Sequence, residues 1–443
     1  MRIGRTLPPA ATPVRIRDIV GGIRGVLHGQ KELDRFQAEL EEHFVVKHCF
    51  LVSSGKAALT LILLALKDLI PSRDEVLIPA FTCFSVASSI IRAGLKIRLC
   101  DLQPDGLDFD FAQLAAILSE ASSSREADTF LYGGITDSMD GAPGVATRSG
   151  DSINRLLAVV PTHLFGLPAD VPRLRTLVRE PGITVVEDAA QAMGETCEGR
   201  KLGTLGDVSF FSLGRGKAFS TVEGGIILTN RDDIAGKLKR FAACLPSYGS
   251  WELVNLLLKA VAVALFLHPL LFWVPRSVPF LKLGETLFEP DFPILRMSSF
   301  QAGLARNWLA RLQKLRDARK EKVKRWIAVL EAQGIHGLQF PDRQGVGLIR
   351  FPVRVSDVEK RESLLRESAR RGVGVMPVYP DSIARLPELR GLLDGERFPV
   401  AESCARELVT LPTHDYLTQK DITEVGRLLS TALACKLCES PSS

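Results

Sequence analysis

The sequence predicts an α/β fold: a mostly parallel central sheet with helices on both faces, followed by a smaller C-terminal α+β unit. Three observations predict it. Short apolar, β-branched runs alternate with longer segments of helical spacing, the pattern of strands joined by helical crossovers. Several of these runs end in small or polar residues, where a parallel sheet opens its ligand crevice. The alternation then gives way to a long helical stretch, Arg296 to Gln333, and three further strand-like runs.

The expected strands of the large sheet are EVLIPA (Glu75 to Ala80), KIRLCD (Lys96 to Asp101), LLAVVPTHLFG (Leu156 to Gly166), ITVVEDAA (Ile183 to Ala190), VSFFSLG (Val208 to Gly214) and GGIILTN (Gly224 to Asn230). GLIRFPVRV, VGVMP and ELVTLP are expected in the smaller unit. A boundary near residue 290 then separates residues 1–290 from residues 291–443. Ser119 to Ser152, rich in Ser, Gly and Asp, reads as an extended loop, either a lid or disordered.

Composition narrows the class. The chain has 443 residues, 46% hydrophobic and 24% charged, enough for a large core with an ordinary soluble balance. A formal charge of +5 is too weak to argue for nucleic acid. The first twenty residues are basic but contain prolines and no apolar h-region, so no signal peptide is expected and the location reads as cytoplasmic. Eight scattered cysteines fit free thiols in a reducing compartment, and the lone CxxC of Cys435 and Cys438 is weak evidence for a metal, so none is expected.

Chemistry is expected at the strand ends, where Asp188, His163 and Ser212 fall. VVEDAAQAMG places an acidic pair at the end of a buried strand. A carboxylate there costs several kcal/mol unless a cation meets it. One such cation is a protonated pyridine nitrogen, and the other half of that chemistry is a lysine that forms a Schiff base with the cofactor aldehyde. VSFFSLGRGKAFSTVEGGIILTN sets one lysine, Lys217, among small residues between two apolar runs. The residues alone leave two readings open: a helix-capping Asp188 with a turn lysine, or the two arms of this cofactor chemistry.

LVSSGKAALTLILLAL with DEVLIPAFTCFSVASSIIRAG, then THLFGLPADV, then VEDAAQAMGETCEGRKLGTLGDVSFFSLGRGKAFSTVEGGIILTN, and finally FPVAESCARELVTLPTHDYLTQKDI together resemble the DegT/DnrJ/EryC1/StrS family of pyridoxal phosphate (PLP) sugar aminotransferases. The resemblance spans nearly the whole chain and implies the fold-type I architecture and a homodimer. It implies that Lys217 forms the Schiff base, that Asp188 partners the pyridine nitrogen, that Gln191 bonds the phenolic oxygen and that Ser212 donates to the phosphate. The turn Ser54, Gly55, Lys56 opens a helix whose N–H groups favour an anion, and Gly55 lets the backbone approach closely. Lys56 stands where the family often has Thr and either adds charge to the phosphate or points to solvent. His163 is a candidate substrate or cofactor contact, or a hydrogen-bonded core residue.

Three departures accompany the resemblance. Cys83, followed by Phe84, occupies the position of an aromatic ring that stacks on the cofactor. The GYNYRM pattern becomes FPILRM, with Ile294 at the Asn position. An apolar insertion, Leu253 to Leu283, is interrupted by Lys259, by His268 with Pro269, and by Pro275 with Arg276. It is expected to form two short helices that do not cross a bilayer, and to rest peripherally on the inner face of a membrane or be buried between subunits. The function implied is amino transfer, from glutamate, to a keto group of a nucleotide-linked sugar. The alternatives are a PLP enzyme acting on a lipid-linked or amphiphilic substrate, or a non-catalytic membrane-associated scaffold.

Overall fold

A computed structural model describes residues 3–120, 155–278, 286–333, 345–393 and 396–433. Nearly all of the Ser119 to Ser152 loop, the Cys435 and Cys438 pair and the end of the apolar insertion lie outside the described residues.

The central sheet has seven strands: β1 (His48–Val52), β2 (Glu75–Pro79), β3 (Lys96–Cys100), β4 (Leu156–Val159), β5 (Thr184–Asp188), β6 (Val208–Ser212) and β7 (Gly225–Thr229). Their order is β1-β7-β6-β5-β4-β2-β3. The pairs from β6 through β3 are parallel, and β7 runs antiparallel to both its neighbours. Residues in β2 alternate between two cores, Val76 and Ile78 facing one and Leu77 the other, which is the period-two pleat of a sheet covered on both faces.

Two expectations about strands are corrected. β1, HCFLV, was not among the expected strands; it is a short edge strand with an irregular burial pattern, so no alternation announces it. The strand expected over Leu156 to Gly166 stops at Val159. Pro161 has no N–H for a ladder, and Phe165 takes a positive φ of 60° in the single turn Leu164–Gly166.

Helix α1 (Ile16–His28) and α2 (Gln30–Phe44) precede β1, and α3 (Gly55–Leu69) follows it. Ser54 caps α3, its Oγ accepting the Ala57 N–H at 3.1 Å. α3 packs against α4 (Phe84–Arg92), α6 (Asp232–Cys244) and strands β6 and β7, while α5 (Val171–Leu177) lies between β4 and β5 in the chain. This burial explains why α3 is apolar from Ala57 to Leu66 with little polar face.

The insertion forms α7 (Ser250–Phe266) and, beyond the break at Pro269, a single turn Trp273–Arg276. Leu256 and Ala260 of α7 are buried with Val14, Ile19, Val222, Phe300 and Leu304. Trp251, Leu258, Leu265 and Leu270 are exposed, as are Ile16, Ile23 and Leu27 on neighbouring α1. Among the described residues, no helix is long and apolar enough to cross a membrane.

After α8 (Ser299–Leu304), the 25-residue α9 (Trp308–Ala332) leads to the small sheet. There β8 (Arg350–Arg354) and β9 (Met376–Pro377) pair antiparallel on either side of β10 (Leu408–Pro412), with α10 (Val358–Arg371), α11 (Pro399–Glu407) and α12 (Gln419–Leu433) around them. The Trp326 Nε1–H of α9 donates to the Pro412 carbonyl at 2.9 Å. The start of the chain also fastens here: Leu7 N–H donates to Gly372 O at 2.8 Å, and the buried His414 Nε2 to Pro8 O at 2.8 Å.

Burial pushes the His414 imidazole down to about 4, outweighing the bond to Pro8. The unfolded chain takes up this proton near pH 6.5 and the folded chain only near 4, so stability is intact above pH 6.5 and falls as pH drops from 6.5 toward 4, by up to about 3 kcal/mol. Urea unfolding at pH 7 and pH 5 is expected to show this loss in the wild type and a smaller loss in His414→Asn.

Candidate active site

Two adjacent carboxylates close β5 and face opposite surroundings. Glu187 accepts N–H bonds from Leu205 at 2.7 Å and Gly206 at 3.0 Å, and its Oε1 lies 2.8 Å from His163 Nε2. Burial works to raise its pKa, yet these partners hold it below the usual glutamate range. Asp188 is also buried; its Oδ1 accepts the Ala190 N–H at 3.0 Å, and the Thr162 side chain also bonds the carboxylate. Burial lifts the Asp188 carboxyl above the usual range, against the opposing pull of the Ala190 N–H, Lys217, His163 and Thr162.

His163 is fully buried and both ring nitrogens are engaged. Its Nδ1 accepts the Ala169 N–H at 2.9 Å, so Nε2 carries the proton and donates to Glu187. This corrects the expectation of a substrate contact: the ring belongs to the core beneath the site, and its role is to hold Glu187.

Lys217 lies in the loop between β6 and β7. Leu213 N–H donates to Gly224 O at 2.8 Å and Thr221 N–H to Leu213 O at 3.0 Å, closing the loop at its neck. The Lys217 carbonyl accepts from Thr12 Oγ1 and, at 3.2 Å, from Arg319, which also donates to Ala218 O at 2.7 Å. With its main chain clamped, the half-buried side chain has no hydrogen bond or ion pair among the described residues. Val222 holds a φ of +73°, rare for a β-branched residue, and is packed against α7.

Gly55 sits against β6: a Cβ added there would lie 2.8 Å from Ser212 Cβ. Ser212 Oγ accepts the Gly214 N–H at 3.3 Å and keeps its own proton to donate. The N–H groups of Gly55 and Lys56, in the first turn of α3, have no helical partner. Residues 294–297 run beside this turn, with Leu295 N–H donating to Ser53 Oγ at 3.1 Å and half-buried Ile294 packed on the core. The side chain of Lys56 turns away: Nζ is 3.3 Å from Glu289 Oε2 and 4.6 Å from the Phe292 ring centroid. Lys56 thus ends in an exposed ion pair, closer to the solvent-facing reading than to a phosphate contact.

The segment after β9 of the small sheet supplies the opposite wall. Gln191 Oε1 accepts the Phe165 N–H at 3.1 Å and Nε2 donates to Tyr379 Oη at 3.2 Å, leaving one amide N–H. Tyr379 is buried against Phe81 and Phe84, with ring centroids 5.3 and 6.1 Å away. Cys83 is half-buried at the N-terminus of α4, between those two phenylalanines in sequence, and Phe84 is committed to Tyr379. Arg319, Tyr379 and Thr12 carry no sequence signal; each is an ordinary residue in a helix, a strand end or a loop, brought in by tertiary packing.

The model of the DegT/DnrJ/EryC1/StrS aminotransferase family matches residues 23–252 and 294–430. The chain belongs to this family. The unmatched stretch, 253–293, contains the apolar insertion. GDP-perosamine synthase from Caulobacter vibrioides is 26% identical over 416 residues, covering 90% of each chain. Among solved structures, DesI in the presence of its TDP-sugar product has a TM-score of 0.71 at 20% identity, covering 98% of this chain and 94% of that one. A Streptococcus pneumoniae protein solved in a PLP form gives 0.70 at 19% identity, covering 96% of this chain and 98% of that one. The fold is fold type I, and the protein is a PLP-dependent aminotransferase.

The residues fit PLP. A buried carboxylate short of partners suits a pyridinium N–H, the Gly55 and Ser212 cradle suits a phosphate, and Gln191 keeps an N–H for a ring oxygen. Gly55→Ala places a methyl group against Ser212 and is expected to weaken PLP binding about tenfold or more, on the scale of about 1–3 kcal/mol for overpacking. Equilibrium dialysis checks the affinity, and circular dichroism checks that the fold is kept.

Proposed function

We propose that this aminotransferase moves an amino group from glutamate to a keto group of a nucleotide-linked sugar in two half-reactions. The observation that carries the assignment of residues is the partnership at the sheet's end: a buried Asp188 lifted by desolvation, within the electrostatic reach of an uncommitted Lys217. The relatives' products, GDP-perosamine and a TDP-sugar, support the acceptor class.

PLP, when bound, supplies the aldehyde that carries the amino group and a ring that delocalises the electron pair left at the donor's Cα. Asp188 keeps the proton on the pyridine nitrogen. The remaining Gln191 N–H orients the ring oxygen, while Ser212 Oγ and the Gly55 and Lys56 N–H groups hold the phosphate. Lys217 would hold the cofactor through Nζ at rest and, once freed, its Nζ would take the proton from the donor's Cα and give it up again. The second half-reaction reverses these proton movements on the acceptor.

A division into a large unit, residues 1–290, and a small unit, residues 291–443, belongs to the same proposal; the separate sheets support it. So does a homodimer with peripheral membrane contact through residues 253–283. The exposed apolar stripe of α1 and α7 supports a covered surface there, and an amphiphilic acceptor is the second reading that this stripe favours.

Lys217→Ala is expected to lower transfer by about 10³-fold or more and Asp188→Asn by about 10²-fold or more, the latter retaining bound PLP. Loss of the PLP absorption band on adding glutamate reads the first half-reaction; an unimpaired Lys217 variant overturns the assignment. Liposome flotation of the wild type and of Leu258→Asn/Leu265→Asn tests the membrane contact: equal partition, or none, removes it, and sedimentation of the same pair tests whether the stripe joins two copies.

A further inference from the structure

We propose that Arg350 binds the α-carboxylate of the amino donor, a specificity determinant for the first half-reaction that rests on the aminotransfer reading above. Arg350 opens β8 at the junction of the two units. It is half-buried, its Nε is enclosed without a hydrogen-bond partner, and no ion pair reaches it among the described residues. The ionisable groups that act on it are Tyr379 and Cys83, and burial holds the Tyr379 phenol well above its usual range, so Tyr379 offers no anion at neutral pH. Its guanidinium carbon lies 5.8 Å from the Phe165 ring centroid, a contact that leaves its N–H donors unspent.

The position is fixed from both sides of the site. Ile349 N–H donates to Phe165 O at 3.0 Å, and Phe165 N–H donates in turn to Gln191. Tyr379, which shares Arg350's surroundings, bonds to Gln191 and feels the charge of Asp188. Arg350 therefore neighbours the groups assigned to the ring, and burial already depresses its pKa, so an enclosed cation there is short of an anion. The donor places a carboxylate on the very carbon that loses its proton. The acceptor, in the reading above, carries its charge on a diphosphate several bonds from the keto carbon. A planar guanidinium pairing with a carboxylate through two N–H bonds fits the donor and orients its Cα–H.

The test uses the PLP-loaded wild type, Arg350→Gln and Arg350→Lys. The half-saturation for glutamate and for glutamine is read from the PLP band, and equilibrium binding of 2-methylglutamate, which has no α-proton to lose, is read by calorimetry. In Arg350→Gln, all three are expected to weaken about 30-fold or more, with Arg350→Lys in between and PLP affinity within about twofold of wild type. Weakening for glutamate alone would place Arg350 on the side-chain carboxylate and overturn the proposal, as would unchanged binding of 2-methylglutamate. A wild type in which neither donor alters the PLP band sinks the aminotransfer reading instead, a different outcome from a wild type and variant that respond alike.

Discussion

The site depends on one constraint: two neighbouring carboxylates at the end of a buried strand, only one of which the protein satisfies. Backbone alternation sends Glu187 and Asp188 to opposite sides of β5. Glu187 meets His163 and several N–H groups that its neighbours cannot otherwise use, and it is held ionised as a structural anchor. Asp188 receives the Ala190 N–H and a Thr162 side-chain bond, with Lys217 and His163 acting on it electrostatically, and these together do not offset its desolvation. An uncompensated buried carboxylate is a fault in a structural element and an asset in a binding site, because a cationic ligand removes the penalty as it binds.

The loop that carries Lys217 is built to a similar logic. Its main chain is overdetermined while its side chain is left alone. Thr12, from near the start of the chain, and Arg319, from α9, both seize the Lys217 carbonyl, and burial, outweighing the pull of Glu195 and Asp415, brings the Arg319 guanidinium down to about 10. Val222 stores backbone strain of about 1–3 kcal/mol in the same loop, sustained by packing against Leu256 and Ala260 of α7. Lys259, which interrupts the apolar run of the insertion, reaches Glu223 at 2.6 Å. The insertion thus buttresses the loop with its inner face while its outer face stays apolar and exposed, so anything that covers the outer face acts on a helix in contact with the lysine loop.

What the sequence made legible was the part of the site that local rules create. Strand ends, a Gly-containing turn before a helix and an acidic pair in a buried strand are all short-range signals; in the structure Gly55 lies against Ser212, and Lys217 acts electrostatically on Asp188. What was illegible came from long-range competition. Lys56 had the right position for a phosphate contact, but Glu289 and Phe292, far along the chain, take its charge. His163 sits at a strand end, yet Glu187 and Ala169 exhaust its nitrogens. β1 is too short and too unevenly buried to show a period, and Arg319, Arg350 and Tyr379 are indistinguishable from surface residues until the two units are brought together.

This division of labour bears on how the enzyme is closed. The large sheet alone supplies Asp188, Ser212 and the neck of the lysine loop, whereas Tyr379 and Arg350 arrive on β8 and the segment after β9. The small unit is tied to the start of the chain through Leu7 with Gly372, Pro8 with His414 and Arg5 with Asp421, and that same start carries Thr12 to the Lys217 carbonyl. The first dozen residues therefore touch both the elements around the small sheet and the clamp on Lys217. The link is mixed: backbone at Leu7 and side chains at Arg5, His414 and Thr12 join the small sheet to the carbonyl of Lys217.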